Sequence, residues 1–287
     1  DLKEPFKGLF TQGMVCHETY KDQENNWISP EDIETIDGKK VLKKNNSIEI
    51  KVGPNESMSK SKKNTIDPEQ IITNYGADAV RLFILSDSPP EKDVQWSEEG
   101  IISASKFVQK LWSLHLKITE QINKGHLNDS SKNLVKFTNK FLKKVSDNLN
   151  SFSYNVIIAN LHEMYSFLIK EINNEYTPKT IIENYKKILV SITPIIPHFS
   201  SECLKLLGEE KNLKWPEFDQ ALLEEEFVNI VIQVNGKKRG IIKAKKNIEN
   251  EELIEKVIKE KTIVKYLEGL NIKKKIYVPN RLINIII

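Results

Sequence analysis

Between residues 97 and 207 apolar side chains recur every three to four positions through four successive segments, and that period dictates helices. In the first, 97–122, Ile101, Phe107, Leu111, Trp112, Leu114 and Ile118 fall at helical spacing behind Ser97. Glu98 and Glu99 follow in the first turn, where carboxylates complement the free amides of a helix start. The others span 131–149, 154–175 and 178–207. In 154–175 the buried stripe reads Val156, Ile157, Ala159, Leu161, Met164, Phe167 and Leu168. Thr177-Pro178 supplies a cap and a proline at the first helical position, and the last helix must kink at Pro194 or Pro197, each of which lacks a backbone donor. Short connections between such helices predict an antiparallel bundle.

After a linker from Lys214-Trp215-Pro216 to Glu226 the period changes to two. Val228, Ile230, Ile232 and Val234 alternate, Asn235-Gly236 makes a tight turn, and 239–244 returns as a second strand. A helix over 251–266 and strands over 273–278 and 282–287 complete a small β-β-α-β-β domain. This end is basic: residues 229–287 hold 14 Lys/Arg against 6 Asp/Glu, a surplus of eight in a chain of net charge +3, leaving −5 for the rest. Such a cap is a polyanion-binding footprint. Lys237, Lys238 and Arg239 on the hairpin tip suit phosphate, although a solubilising turn fits the same residues equally well. The Lys273-Lys274-Lys275 run is a weaker candidate, since it can simply guard a sheet edge.

Ahead of the bundle, residues 8–15 read as a strand. Residues 21–56 read as a small β-rich insertion, with Asp37-Gly38 a hairpin signal and 48–52 a strand. Then comes Ser57-Met58-Ser59-Lys60-Ser61-Lys62-Lys63-Asn64, which has no large apolar side chain except Met58. It must lie at the surface, mobile unless an anion holds it, and its hydroxyls and ammonium groups are the donors a polyphosphate needs. Taken alone it is equally a solvated basic linker. Behind it Asp67-Pro68 opens a helix carrying Ile71, Ile72 and Tyr75, Gly76 ends it, and 77–85 begins another.

Apolar content of 39% with 29% charged residues is ordinary for a soluble protein, and no apolar run approaches the about 20 residues of a membrane helix. Cys16 and Cys203 stand alone, which excludes a disulfide framework and a cysteine zinc site and makes a reducing cytoplasm the expected location. His162-Glu163 lacks the second histidine of a zinc-protease helix and reads as a packed or surface residue. The polar opening with Asp1 rather than Met reads as the interior of a larger protein, so the chain is expected to be a carboxy-terminal piece.

Met58-Ser59-Lys60-Ser61, with Lys62-Lys63-Asn64 and Ile66-Asp67-Pro68 behind it and then Tyr75-Gly76-Ala77-Asp78-Ala79-Val80-Arg81, resembles the Lys-Met-Ser-Lys-Ser segment of class I aminoacyl-tRNA synthetases. Within that class the chain looks like the bacterial or organellar leucyl-tRNA synthetases. The phrases that carry this are Leu9-Phe10-Thr11-Gln12-Gly13-Met14-Val15, Arg81-Leu82-Phe83-Ile84-Leu85-Ser86-Asp87-Ser88-Pro89-Pro90, Val234-Asn235-Gly236-Lys237-Lys238-Arg239-Gly240 and Ile276-Tyr277-Val278-Pro279-Asn280-Arg281-Leu282-Ile283-Asn284. The likeness spans essentially the whole chain.

The resemblance implies a multidomain fold: the end of an α/β Rossmann-like catalytic domain with its insertion and ATP loop (1–66), a helical stem-contact segment (67–96), a helical-bundle domain on the anticodon side of the tRNA (97–219), and a basic α+β tRNA-binding domain (220–287). It implies attachment of leucine to tRNA(Leu) with ATP through a leucyl-adenylate, Mg2+ accompanying the ATP with no ligand in this sequence, by a cytoplasmic, monomeric enzyme that uses no membrane. Lys60 would contact the phosphates, with Met58, Ser59 and Ser61 shaping the ATP loop. Ser57 stands where the family has its first lysine, which implies slower adenylation. None of the five histidines lies in the family's His-Ile-Gly-His motif, so the chain alone should not aminoacylate. A valyl- or isoleucyl-tRNA synthetase shares the loop and bundle, and a non-catalytic RNA-binding derivative is the alternative from another class. The terminal domain speaks against the first and the intact Lys60 loop against the second.

Overall fold

A computed structural model describes residues 3–211, 213–223, 227–267 and 271–287. The chain divides into two units, Asp1–Phe218 and Asp219–Ile287. In the first, strand β1 (Val15–Lys21) is followed by a meander, β2 (Ile33–Ile36), β3 (Lys39–Leu42) and β4 (Asn45–Glu49), after which β5 (Lys51–Ser57) returns antiparallel to β1. The insertion is thus a three-stranded antiparallel sheet of its own. Asp37 and Gly38 both take positive φ at its first turn, as a tight hairpin requires. The expected strand over 48–52 splits between two sheets at Ile50, which is buried and donates its amide to the Lys40 carbonyl. The strand expected over 8–15 begins instead at Val15. Gly13 donates to the Pro90 carbonyl at 2.8 Å and lies so close to Lys92 that a Cβ would collide with that backbone, so this run is held by the 90–93 turn rather than by a sheet.

Helices α1 (Pro68–Tyr75) and α2 (Ala77–Ser86) lead to β6 (Val94–Gln95), which pairs parallel with β1 in a sheet of order β5-β1-β6. The α/β character of this end is limited to that sheet and the helices that Val94 touches: Val94 packs with Ala79 and Phe83 of α2 and with Ile101. Gly100 is required there, because a Cβ would stand 2.4 Å from the Phe83 ring.

The bundle follows as α3 (Glu98–Lys124), α4 (Asn133–Asn150), α5 (Tyr154–Glu171), α6 (Pro178–Ile192) and α7 (Pro197–Leu206). The hydroxyls of Ser97 and Thr177 cap α3 and α6. The predicted fourth helix is therefore two, broken between Ile192 and Pro197. Leu114, Ile118, Val145, Ile157, Leu161 and Ile188 meet in one core, and Leu82 joins them from α2. Each such side chain contributes about 1.5–3 kcal/mol by leaving water. Two stripe residues are misassigned by the sequence: Trp112 is 36% exposed and Val156 43%, because the helix has turned them past the edge of the buried stripe. No described helix is long and apolar enough to cross a membrane.

The second unit carries β7 (Phe227–Val234), β8 (Lys237–Lys245), α8 (Asn250–Ile258), α9 (Lys261–Leu267), β9 (Lys274–Val278) and β10 (Leu282–Ile286). Its sheet has order β8-β7-β10-β9, with β10 parallel to β7 and the other pairs antiparallel. Ile230, Ile232, Ile283 and Ile285 alternate onto one face and pack under Leu253, Val257 and Ile263. The expected β-β-α-β-β order is thus corrected to β-β-α-α-β-β. The single predicted helix ends near Lys259, and the Glu260 carbonyl restarts the ladder by accepting from Ile263 and Val264.

Candidate functional site

Strand β5 delivers the lysine loop at the sheet edge. The Met58 amide donates to the Val15 carbonyl at 3.1 Å, so the strand register persists one residue beyond Ser57. Ser59 then caps a single 3-10 turn, Lys60–Lys62, its hydroxyl accepting from the Lys62 amide and lying 2.8 Å from the Ser61 hydroxyl. Lys63 takes the left-handed conformation, φ 53°, which reverses the chain and drops Asn64 inward. Asn64 is 1% exposed. Its Oδ1 accepts from the Ser59 amide at 2.8 Å, and its Nδ2 donates to the carbonyls of Glu56 at 3.1 Å and His17 at 3.3 Å, with Ser57 at 3.5 Å. The loop expected to be held by an anion is therefore pinned from beneath by one amide side chain, which satisfies both ends of the turn and ties it to β1.

The cations separate accordingly. Lys62 forms an ion pair with Glu56 and is half-buried, so it does not stand in for the lysine missing at Ser57. Lys60 and Lys63 are exposed, and Lys60 has no ion pair among the described residues. Ser59 and Ser61 bracket Lys60 with hydroxyl donors, while Met58 is half-buried and serves as the anchor rather than a ligand. The arrangement can present one unpaired ammonium, two hydroxyls and a second ammonium to a polyphosphate.

Beside the loop a cleft of about 650 Å³ opens among His17, Glu18, Tyr20, Lys40, Trp96 and Glu98. Lys40, on β3 of the insertion, donates to Glu18 Oε2 at 2.5 Å and to the Tyr20 hydroxyl at 2.7 Å, both on β1. The Lys40 hydrogen bond holds the Glu18 carboxyl below its ordinary pKa, and burial pushes the Tyr20 phenol up. Burial also lowers His17, which keeps it neutral against the carboxylates. This triad ties the insertion to the strand that precedes the loop, a role no sequence signal announced.

The other predicted cluster is divided by the fold. A bulge between Ile232 and Gln233 leaves Arg239 as the extra residue of β8, and its guanidinium stacks over the Tyr266 ring at 4.3 Å, on the helix side of the sheet. Lys238 pairs with Gln233 and Lys237 with Val234, positions that alternate between the two faces. Lys237, Lys238 and Arg239 are thus three separate cations, not one patch. Elsewhere His162 stacks on Phe107 at 3.8 Å, as a packed residue would, and its pKa is lowered by burial and then by Lys110.

Sequence reasoning missed Asn64, Glu56 and the Lys40 triad, all of which act through tertiary contacts.

Residues 50–97, from β5 through the loop to the start of α3, match the family model for tRNA synthetases class I (I, L, M and V), and residues 131–258 match the anticodon-binding domain of tRNA ligase. The chain is 40% identical over 289 residues to the leucine–tRNA ligase of Zymomonas mobilis, covering 100% of this chain and 33% of that protein. It is 39% identical to the leucine–tRNA ligase of Rickettsia bellii, over 99% and 34%. The chain belongs to the leucine–tRNA ligase family. As a family member it spans about a third of the length of the relatives it matches. The LeuRS of Agrobacterium radiobacter K84, solved as a ternary complex with tRNA and LeuAMS, shares the fold with a TM-score of 0.70 at 20% identity, over 99% of this chain and 34% of that one. The valyl and isoleucyl alternatives are not favoured, since similarity to the leucine ligases extends along the whole chain.

Proposed function

We propose that this chain is the carboxy-terminal portion of an enzyme that attaches leucine to its tRNA using ATP through a leucyl-adenylate. The observation that carries the reading is the coincidence of whole-length similarity to leucine–tRNA ligases with a pinned turn that leaves Lys60 exposed and unpaired. In adenylation the leucine carboxylate attacks the α-phosphorus and pyrophosphate leaves. Lys60, with the Ser59 and Ser61 hydroxyls, is placed to neutralise charge gathering on the departing phosphates, the kind of fixed electrostatic stabilisation that acts on the transition state. The described residues contain no cluster of three or more His, Cys, Asp or Glu suited to a metal ion, so no step of this account runs through magnesium. Residues 1–66 supply the end of the catalytic domain, 67–96 the segment facing the tRNA stem, 97–219 the bundle, and 220–287 a further RNA contact. Action as a cytoplasmic monomer belongs to the same proposal, supported by two buried free thiols.

Titrating this chain with a leucine tRNA and with other tRNAs across salt tests the reading. Selective, salt-sensitive binding is expected, and equal weak binding of every RNA would count against it. Within that titration Lys238→Ala should lower the salt slope by about one. Arg239→Ala should instead destabilise the second unit by about 0.5–1 kcal/mol through loss of the Tyr266 stack, read by thermal melting.

A further inference from the structure

The break between α6 and α7 is filled from another helix. In an uninterrupted helix the amides of His198 and Phe199 would donate four residues back, to the carbonyls of Pro194 and Ile195. Here both bonds are replaced, one for one, by side chains of α2. The His198 amide donates to Asp78 Oδ1 at 3.3 Å and the Phe199 amide to Asp78 Oδ2 at 2.6 Å. Arg81 Nη2 donates to the Pro194 carbonyl at 2.6 Å and Arg81 Nε to the Ile195 carbonyl at 2.9 Å. Asp78 and Arg81 lie three residues apart and so share one face of α2. The carboxylate meets the amide end of α7 and the guanidinium meets the carbonyl end of α6, each the favourable sign for that helix end.

The break therefore has two closed states available to it. In one, α2 supplies the partners and α6 and α7 stay apart. In the other, the backbone pairs with itself and α2 is released. Helix α2 is also the element two turns beyond the loop: Asn64 ties the loop to β1 on one side, and α1 and α2 continue from it into the bundle core through Leu82 on the other.

We propose that Asp78 and Arg81 are positioning residues that latch the loop-bearing helices to the bundle, so that tRNA held by the bundle biases the setting of Lys60. This inference rests on the proposed function. Neither side chain touches substrate, because both are engaged with backbone. tRNA binding to the latched state favours the loop position used in transfer, and by linkage the filled ATP site favours the latched bundle.

The test uses the complete enzyme with Arg81→Met, Asp78→Asn, the pair together, and Arg81→Lys. Leucine-dependent ATP–pyrophosphate exchange without tRNA should stay within about twofold of the parent, while kcat for leucyl-tRNA formation falls about tenfold. The double variant should be no worse than the poorer single one, since the two residues act as one unit. Arg81→Lys should recover part of the loss while melting like the parent. If exchange and leucylation fall together in step with a lower melting temperature, or if neither changes, the latch is overturned and the contacts are structural. A parent enzyme that makes no leucyl-tRNA would instead overturn the proposed function.

Discussion

Replacing Lys60 by alanine in the complete enzyme should lower leucine-dependent ATP–pyrophosphate exchange by about 10²–10³-fold, the usual cost of removing one fixed group that meets transition-state charge. The loss should fall on kcat, with the KM for ATP changed little, because the ammonium is matched to charge that grows as pyrophosphate leaves. Three features make Lys60 the sensitive position. It is exposed and without an ion pair among the described residues, it sits between the hydroxyls of Ser59 and Ser61, and its turn is fixed at both ends by Asn64. Lys62→Ala should do far less to exchange, since that ammonium is already neutralised by Glu56. Ser57→Lys should raise the rate, because Ser57 is exposed at the end of β5 and a cation there would be the second one facing the phosphates. Equal losses in the Lys60 and Lys62 variants, or none in either, would remove Lys60 from the mechanism.

Much of this architecture was legible because it is written in local period. The apolar stripe of α3, the Ser97 and Thr177 caps and the alternation of Ile230 and Ile232 each follow from residues a few positions apart. The break at Pro194–Pro197 was legible for the same reason, as two missing donors. What fills it was not: Asp78 and Arg81 stand more than a hundred residues earlier, and a carboxylate in the first turn of α2 reads as a cap for its own helix. The hairpin-tip cluster failed differently. Three adjacent cations look like one patch in sequence, but a single bulge in the β7–β8 ladder turns Arg239 towards Tyr266. The loop lies between these cases. Its chemistry was legible in Ser59, Lys60 and Ser61, whereas its rigidity depends on Asn64, which in sequence is one more small polar residue at the end of a polar run.

Asn64 therefore sets the second large effect. Its side chain is buried and uses both of its ends: the oxygen holds the Ser59 amide, and the nitrogen bridges the carbonyls of Glu56 and His17. Asn64→Ala leaves those backbone groups without partners in a site closed to water, at a cost of about 1–3 kcal/mol, and frees the turn that orients Lys60. A shift of about 1 Å at a charge-stabilising group is enough for about a 10²-fold loss of rate, so exchange in Asn64→Ala should approach that of Lys60→Ala although no phosphate ligand has been removed. Asn64→Asp separates orientation from packing. The substituted carboxyl keeps the volume and can still accept from the Ser59 amide, but when ionised it faces carbonyl oxygens with no proton to share. Burial raises its pKa, and the protonated form can donate one bond again. Exchange by this variant should recover relative to the parent as pH falls, with the recovery absent in Asn64→Ala. Parent-like exchange in both variants would show that the turn holds its shape without the pin.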